Sequence, residues 1–411
     1  MGTGTLLRNL NDKISKAIND GKYVGAILID LKKAFDVVDH EILLKKCYSM
    51  GLRGKIYNII KSFLKDRTAL TKIENSISDP QDVLCGVPQG SVMGPLLFLI
   101  FMNDIKCDGE YIRIYLFADD VLILSFDNEF TKMMGNLQNK FDYVVQWCIE
   151  NDVIINMDKT QFMSIQSAHK VRINNIDIYK HTEKHKDCKM DCTKIREVNE
   201  ARYLGLIIDN WGHKKNINAI IIKLRCMMPS LYRLKNILDV KTKIKIYYAW
   251  IESTLRYGID IYGFANNTCI DKLQKTQNKI VKILFKLMIL KVLLIFYRKQ
   301  NLLNIKQLRD FCIISNNYFC NEHKVVNEDN ANVFRTSTYR YNIPGFANDY
   351  GKKVRSFTIP TIFNKLPLAL IKLNNYNAIK NFKKKSKSIY LILILMDCSD
   401  TSSLPVVCFF V

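Results

Sequence analysis

Three acidic residues carry the clearest chemistry in this 411-residue chain. Asp119 and Asp120 stand side by side in YIRIYLFADDVLILSF, residues 111–126, between two runs rich in Ile, Leu, Tyr, Phe and Val. Each run reads as a strand and the break between them as a hairpin turn, so two carboxylates fall where two buried strands meet. Like charges this close raise each other's energy unless a cation lies between them. A third acid, Asp30, ends the unbroken apolar run YVGAILI (23–29), the pattern of a buried strand. If these strands are neighbours in one sheet, three carboxylates converge as hard oxygen ligands suited to Mg²⁺. Two such ions, about 3.5–4 Å apart, stabilise the attacking and leaving oxygens of an in-line phosphoryl displacement. Taken without its surroundings, Asp119-Asp120 reads better as an ordinary turn pair, because Asp favours turns.

The elements that must position these acids are legible as alternating strand and helix signals. Asp39 precedes Ile42, Leu43 and Leu44, and Gly51 follows, a capped start and a glycine stop for one helix. Ile56, Ile59, Ile60 and Phe63 mark a second. After the Gly/Pro-rich loop GVPQGSVMGP, the run LLFLIFMNDI predicts a buried helix. Beyond the hairpin, Phe130, Met133, Met134, Leu137, Phe141, Val144, Val145 and Cys148 keep helical spacing over five turns. The order strand, helices, strand, strand, helix, strand predicts an α+β fold with an antiparallel sheet of the split βαβ kind. Residues 166–200 are polar and Lys-rich and read as an exposed connector. YLGLIID (203–209) reads as a strand, and helical patterns dominate from about 216 to 385. The last residues, 391–411, lose charge and periodicity and read as a poorly specified tail.

Charge is divided unevenly. Residues 1–160 hold 19 Lys+Arg against 21 Asp+Glu, whereas residues 161–411 hold 42 against 18, so the whole net charge of +22 comes from the second part. A neutral front and a basic back fit a reacting site followed by a surface for a polyanion. The 12 cysteines lack framework spacing in a chain too long to need staples, which fits a reducing, intracellular setting. VKILFKLMILKVLLIF (281–296) is interrupted by Lys286 and Lys291 and is too short to span a bilayer, so it reads as a buried helix, and no membrane partner is expected. His181, His185, Cys188 and Cys192 are zinc-capable side chains within HTEKHKDCKMDC, but the segment lacks a turn glycine and reads better as a solvated loop.

AILIDLKKAFDVVDHEILLKK (26–46), GVPQGSVMGPLLFLIFMNDI (86–105) and LFADDVLIL (116–124) resemble, in order, the first three motifs of reverse transcriptases, most closely those of LINE-type (non-LTR) retrotransposons of the jockey-like kind. QWCIENDVIINMDKTQFMSI (146–165) and ARYLGLIID (201–209) resemble the next two. LRYGIDIYG (255–263), LQKTQNKIVKILF (273–285) and residues 363–391 resemble the region beyond the polymerase core, so the likeness runs from about residue 3 to 391. It implies a palm over 1–165 with a remnant of fingers, a connector and last palm motif over 166–215, and a basic helical thumb and post-polymerase region over 216–390.

The resemblance also implies roles. Asp30 and Asp119 would bind two Mg²⁺ ions, or Mn²⁺, with Asp120 completing the acidic turn. A primer 3′-hydroxyl would attack the α-phosphate of a dNTP on an RNA template. Phe35 matches the family's steric gate, whose ring leaves no room for a 2′-hydroxyl, although a core aromatic reads the same in sequence. Gln89 and Gly90 match its template and nucleotide contact, and Lys159 the Lys beside the leaving phosphates. Asp39 reads as a helix cap and His40 as structural. The basic helices would hold an RNA template and DNA primer through their phosphates, and the family's target-primed copying implies a nuclear site. Only 29 residues precede Asp30, so an N-terminally truncated polymerase is expected. A catalytically silent remnant that binds nucleic acid is the alternative, and group II intron or telomerase kinship fits the motifs less well.

Overall fold

Tyr23–Ile29 forms β1, and its lack of alternation is explained by its surroundings: Val24, Ala26, Ile27 and Ile29 are all buried. The structure, a computed structural model, describes residues 2–106, 109, 111–165, 176–181, 192–209, 212–287, 290–317, 345 and 350–365. Two units divide the chain. One comprises Asp20–Tyr203; the other joins residues up to Asn19, which include helix α1 (Thr3–Asn19), to those from Leu204 onward.

In the first unit β1 is the middle of a sheet completed by β2 (Ile112–Phe117), β3 (Asp120–Asp127), β4 (Gln161–Ile165) and β5 (Arg196–Glu197). The order is β5-β4-β1-β3-β2. Its four long strands pair antiparallel throughout, as expected for a split βαβ unit; the two-residue β5 adds a parallel edge, making the sheet mixed there. Helices α2 (His40–Ser49), α3 (Gly54–Leu64) and α4 (Met93–Met102) connect β1 to β2, and α5 (Phe130–Glu150) connects β3 to β4. The eight periodic positions expected on α5 are all buried. Gly25 lets this helix come close to β1: a Cβ there would lie 2.4 Å from the Met133 sulfur. Asp39 caps α2 by accepting a hydrogen bond from the Ile42 amide at 2.8 Å.

Several expectations need correction. In α3 the inward residues are Ile60 and Leu64, while Ile56 and Ile59 face solvent at 58% and 59% exposure. In α4, Leu97, Phe98, Phe101 and Met102 are buried but Leu96 and Leu99 are exposed. α4 is apolar nearly all round, so composition alone left its inward face undecided, whereas α3 carries Lys55, Asn58, Lys61 and Ser62 among its apolar residues. The connector is not wholly exposed either, since Ile178 and Ile195 are buried at 1% each.

The second unit is helical. Its core includes Leu224 and Leu231 of α6 (Lys214–Leu234), Tyr247 and Tyr262, and Leu273, Ile280 and Leu284 of α7 (Asn267–Phe285). Gln277, fully buried, donates to the Tyr247 hydroxyl at 2.7 Å and to the Leu303 carbonyl at 2.8 Å, so its amide is paired inside this core. The run 281–296 is two helices rather than one: α7 stops where Lys286 turns left-handed (φ 57), and α8 begins at Leu290 (Leu290–Lys299). The strand signal at 203–209 is likewise broken, by positive φ at Leu204 and Gly205. Among the described residues no helix is long and apolar enough to cross a membrane, and the cysteines are free. The tail 391–411 lies outside the described residues.

The buried face of α5 generates a stability contrast. Phe141→Ala should lower stability by about 3–5 kcal/mol through the cavity it leaves. Ile56→Ala on the exposed face of α3 should change it by no more than about 0.5 kcal/mol. Urea midpoints of the two variants check this.

Candidate active site

Backbone register brings the acids together. The β1–β3 ladder runs from Tyr23↔Asp127 to Ile29↔Val121, so the next position along each strand faces Asp30 towards Asp120. The β2–β3 hairpin closes Phe117 on Asp120, leaving Ala118 and Asp119 as its two turn residues. Asp120 therefore belongs to the strand and Asp119 to the turn. Ala118 takes φ 51, the positive value that the first position of a II′ hairpin turn demands and that glycine usually supplies. Asp119 is exposed, while Asp30 and Asp120 are half-buried.

Electrostatics registers the grouping. Burial pushes the Asp120 carboxyl above the usual carboxylate range, and the charges of Asp119 and Asp30 push it further in the same direction. Among the described residues no three His, Cys, Asp or Glu side chains already form a closed ligand set. The acids share one corner of the sheet and one field rather than a finished chelate. Asp30 is also held from the side: Asn156 Nδ2 donates to its Oδ2 at 2.9 Å, and Lys159 Nζ lies 3.7 Å from the same oxygen.

The loop 86–92 lies against the segment after Asp30. The Gly86 amide donates to the Val38 carbonyl and the Val87 amide to the Phe35 carbonyl, both at 2.8 Å. Gly86 has φ 85, and a Cβ there would meet the Asp36 carbonyl oxygen at 2.7 Å, so only glycine fits. His40, read from sequence as structural, pins the same loop with Nε2 2.8 Å from the Gly86 carbonyl. Gln89 is exposed and donates to Asp36 Oδ1 at 2.7 Å, and Gly90 beside it is exposed at φ 80. Phe35 is half-buried, its ring stacked on Phe98 with centroids 4.2 Å apart.

Residues 5–208 match the family described as reverse transcriptase (RNA-dependent DNA polymerase). The chain carries a reverse transcriptase domain. Over 296 residues it is 28% identical to the RNA-directed DNA polymerase from mobile element jockey of Drosophila funebris, which covers 68% of this chain and 30% of that one. Over 289 residues it is 26% identical to the probable RNA-directed DNA polymerase from transposon BS of Drosophila melanogaster, covering 67% and 30%. The chain thus spans 30% of the length of these relatives. Among solved structures it is similar to telomerase from Candida albicans in complex with a fragment of telomeric RNA, at 13% identity and a TM-score of 0.37 over 68% of this chain and 51% of that one, a likeness too distant to bear on the fold.

Within the reverse transcriptase domain, one sheet corner brings Asp30, Asp119 and Asp120 together, with Asn156 and Lys159 beside Asp30. Phe35, Gln89 and Gly90 line the neighbouring loop. Sequence reading missed Asn156, Thr160 and the Asp36–Gln89 bond. The only signal for the first two was their place in INMDKT around Lys159, since a half-buried amide partner has no periodicity to reveal it. His181 Nδ1 and Cys192 Sγ do meet, at 3.1 Å, while His185 and Cys188 lie outside the described residues.

The raised pKa of Asp120 has a definite consequence for stability. Folded Asp120 holds its proton more tightly than the unfolded chain does. Stability is therefore full below the ordinary carboxylate range and falls as pH rises through the raised value. Asp120→Asn removes that loss, so the variant should unfold at a higher temperature than the parent at pH 7, with the gap closing near pH 3. Thermal melts across this range in chelator check it; equal melting at pH 7 would contradict the electrostatic account.

Proposed function

We propose that this domain performs RNA-directed DNA synthesis for a mobile element, adding deoxynucleotides to a primer 3′-hydroxyl with release of pyrophosphate. The observation that carries the reading is the pairing of Ile29 with Val121, which sets Asp30 across from Asp120 beside the Asp119 turn. Three carboxylates in one negative field are a donor set that suits hard divalent cations. Asp30, Asp119 and Asp120 would hold two Mg²⁺ ions, or Mn²⁺. When bound, such ions stabilise charge on the attacking and leaving oxygens.

The chain's own side chains supply selection and alignment. Phe35, backed by the Phe98 ring, is positioned to exclude a 2′-hydroxyl from the sugar site. Gln89 offers a donor and an acceptor to template or nucleotide, with Gly90 allowing close backbone approach. Lys159, 70% exposed and only loosely paired with Asp30, is free to swing towards the leaving phosphates and neutralise them. Exposed basic residues Lys214, Lys215, Lys223, Arg225 and Arg233 on α6 give that helix a face for nucleic-acid phosphates.

Primer extension on an RNA template with the purified chain and Mg²⁺ tests the reading. Incorporation should fall by at least about 100-fold in Asp119→Asn, which removes charge that acts on the reacting phosphate. Phe35→Val should admit ribonucleotides that the parent rejects. Undiminished incorporation in Asp119→Asn would overturn the assignment, and binding without incorporation in the parent would leave a silent nucleic-acid-binding remnant. In a separate filter-binding series, Lys223→Ala with Arg225→Ala should weaken RNA binding alike for unrelated sequences. The slope of log K against log salt should become shallower by about 2, roughly one unit for each lost phosphate contact; an unchanged slope would remove α6 from the interface.

A further inference from the structure

Asp30 is gripped from one side by a short segment that follows Ile154. The Lys32 amide donates to the Ile154 carbonyl and the Asn156 amide to the Asp30 carbonyl, both at 2.8 Å, while Leu31 and Ile155 form a bridge between them. Backbone on both sides of Asp30 is thereby fixed. The Asn156 side chain then reaches the carboxylate itself, donating from Nδ2 to Oδ2 at 2.9 Å. Asn156 is pinned in turn, because Thr160, fully buried, donates from Oγ1 to the Asn156 carbonyl at 2.8 Å and its amide donates there at 2.9 Å. The same hydroxyl accepts from the Asp30 amide at 3.5 Å.

Two features separate this arrangement from a chance contact. Among the described residues both side-chain partners of the Asp30 carboxylate, Asn156 and Lys159, approach Oδ2, which leaves Oδ1 to a cation. A neutral amide, moreover, orients a carboxylate without cancelling its charge. Lys159 is the weaker partner, since an exposed ammonium at 3.7 Å contributes little.

We propose that Asn156 is a positioning residue, which with Thr160 holds the Asp30 carboxylate turned so that Oδ1 faces the divalent cations. This rests on the reading of Asp30 as an acid of the polymerase site. An outer partner of this kind sets the orientation of a metal-binding carboxylate, and its removal typically costs about 10- to 100-fold in metal affinity or activity. Asn156→Ala frees the carboxylate to rotate. Asn156→Asp keeps the shape but sets a second carboxylate against the first. Thr160→Val keeps the bulk and removes only the hydroxyl that pins Asn156.

The test uses the full chain and Mn²⁺ as a spectroscopic probe, its binding followed by electron paramagnetic resonance without nucleotide, alongside primer extension over a range of Mg²⁺. Asn156→Ala should weaken Mn²⁺ binding about 10-fold or more and raise the Mg²⁺ needed for half-maximal incorporation. Its KM for dNTP and its melting temperature should stay near those of the parent. Asn156→Asp should be more impaired than Asn156→Ala, and Thr160→Val should shift the same readouts by a smaller factor. Unchanged Mn²⁺ affinity in Asn156→Ala overturns the proposal, as does a loss that follows melting temperature across the three variants. Asp119→Asn separates the two levels of argument. If it also leaves Mn²⁺ binding and incorporation intact, the polymerase reading of the corner fails; if it abolishes them while Asn156→Ala behaves as the parent, only the role of Asn156 fails.

Discussion

The register between β1 and β3 is the constraint on which the rest depends. Seven consecutive pairs, Tyr23↔Asp127 through Ile29↔Val121, lock two strands whose inward faces are covered by α5. Both faces of these strands are buried, so a slip of one residue would exchange the side chains packed on the two faces, and the apolar packing enforces the pairing. That enforcement is what makes the acid corner possible. Asp30 and Asp120 do not choose each other, since their charges oppose the approach; hydrophobic burial a few residues away imposes it. Burial, and after it the charges of Asp119 and Asp30, raise the proton affinity of Asp120.

Around this corner the chain places donors rather than a permanent counter-charge. Asn156 is neutral, and Lys159 is distant and exposed. A tightly bonded Lys or Arg would neutralise the corner and compete with any cation. The arrangement instead keeps a localised negative field at the end of a rigid sheet, where a reacting group can be held by structured elements rather than by loops.

The loop 86–92 shows a complementary economy. It makes backbone bonds to Phe35 and Val38 and is pinned by His40, so its path follows the segment that carries Asp30. Gly86 permits the approach because no Cβ fits against the Asp36 carbonyl. Gln89, Gly90 and Phe35 are consequently tied to the same short stretch as the acid. These three residues and the acid corner share one backbone frame within the first unit.

Much of this was readable from residue order. The strand at 23–29, the hairpin with its two acids, the inward stripe of α5 and the Asp39 cap all follow from local patterns, because burial on one face leaves a period and capping leaves a residue type. Five motifs in sequence order also point to a reverse transcriptase domain. Tertiary structure alone decided which face of α4 turns inward, because a nearly all-apolar helix carries no periodic signal. It alone ended α7 at Lys286 and split the 203–209 strand, where backbone twist outweighs apolar composition. It alone revealed Asn156 against Asp30, a contact between residues 126 apart in the chain. A polar bond across such a span depends on where two backbones cross, and no local pattern of residue types records that crossing.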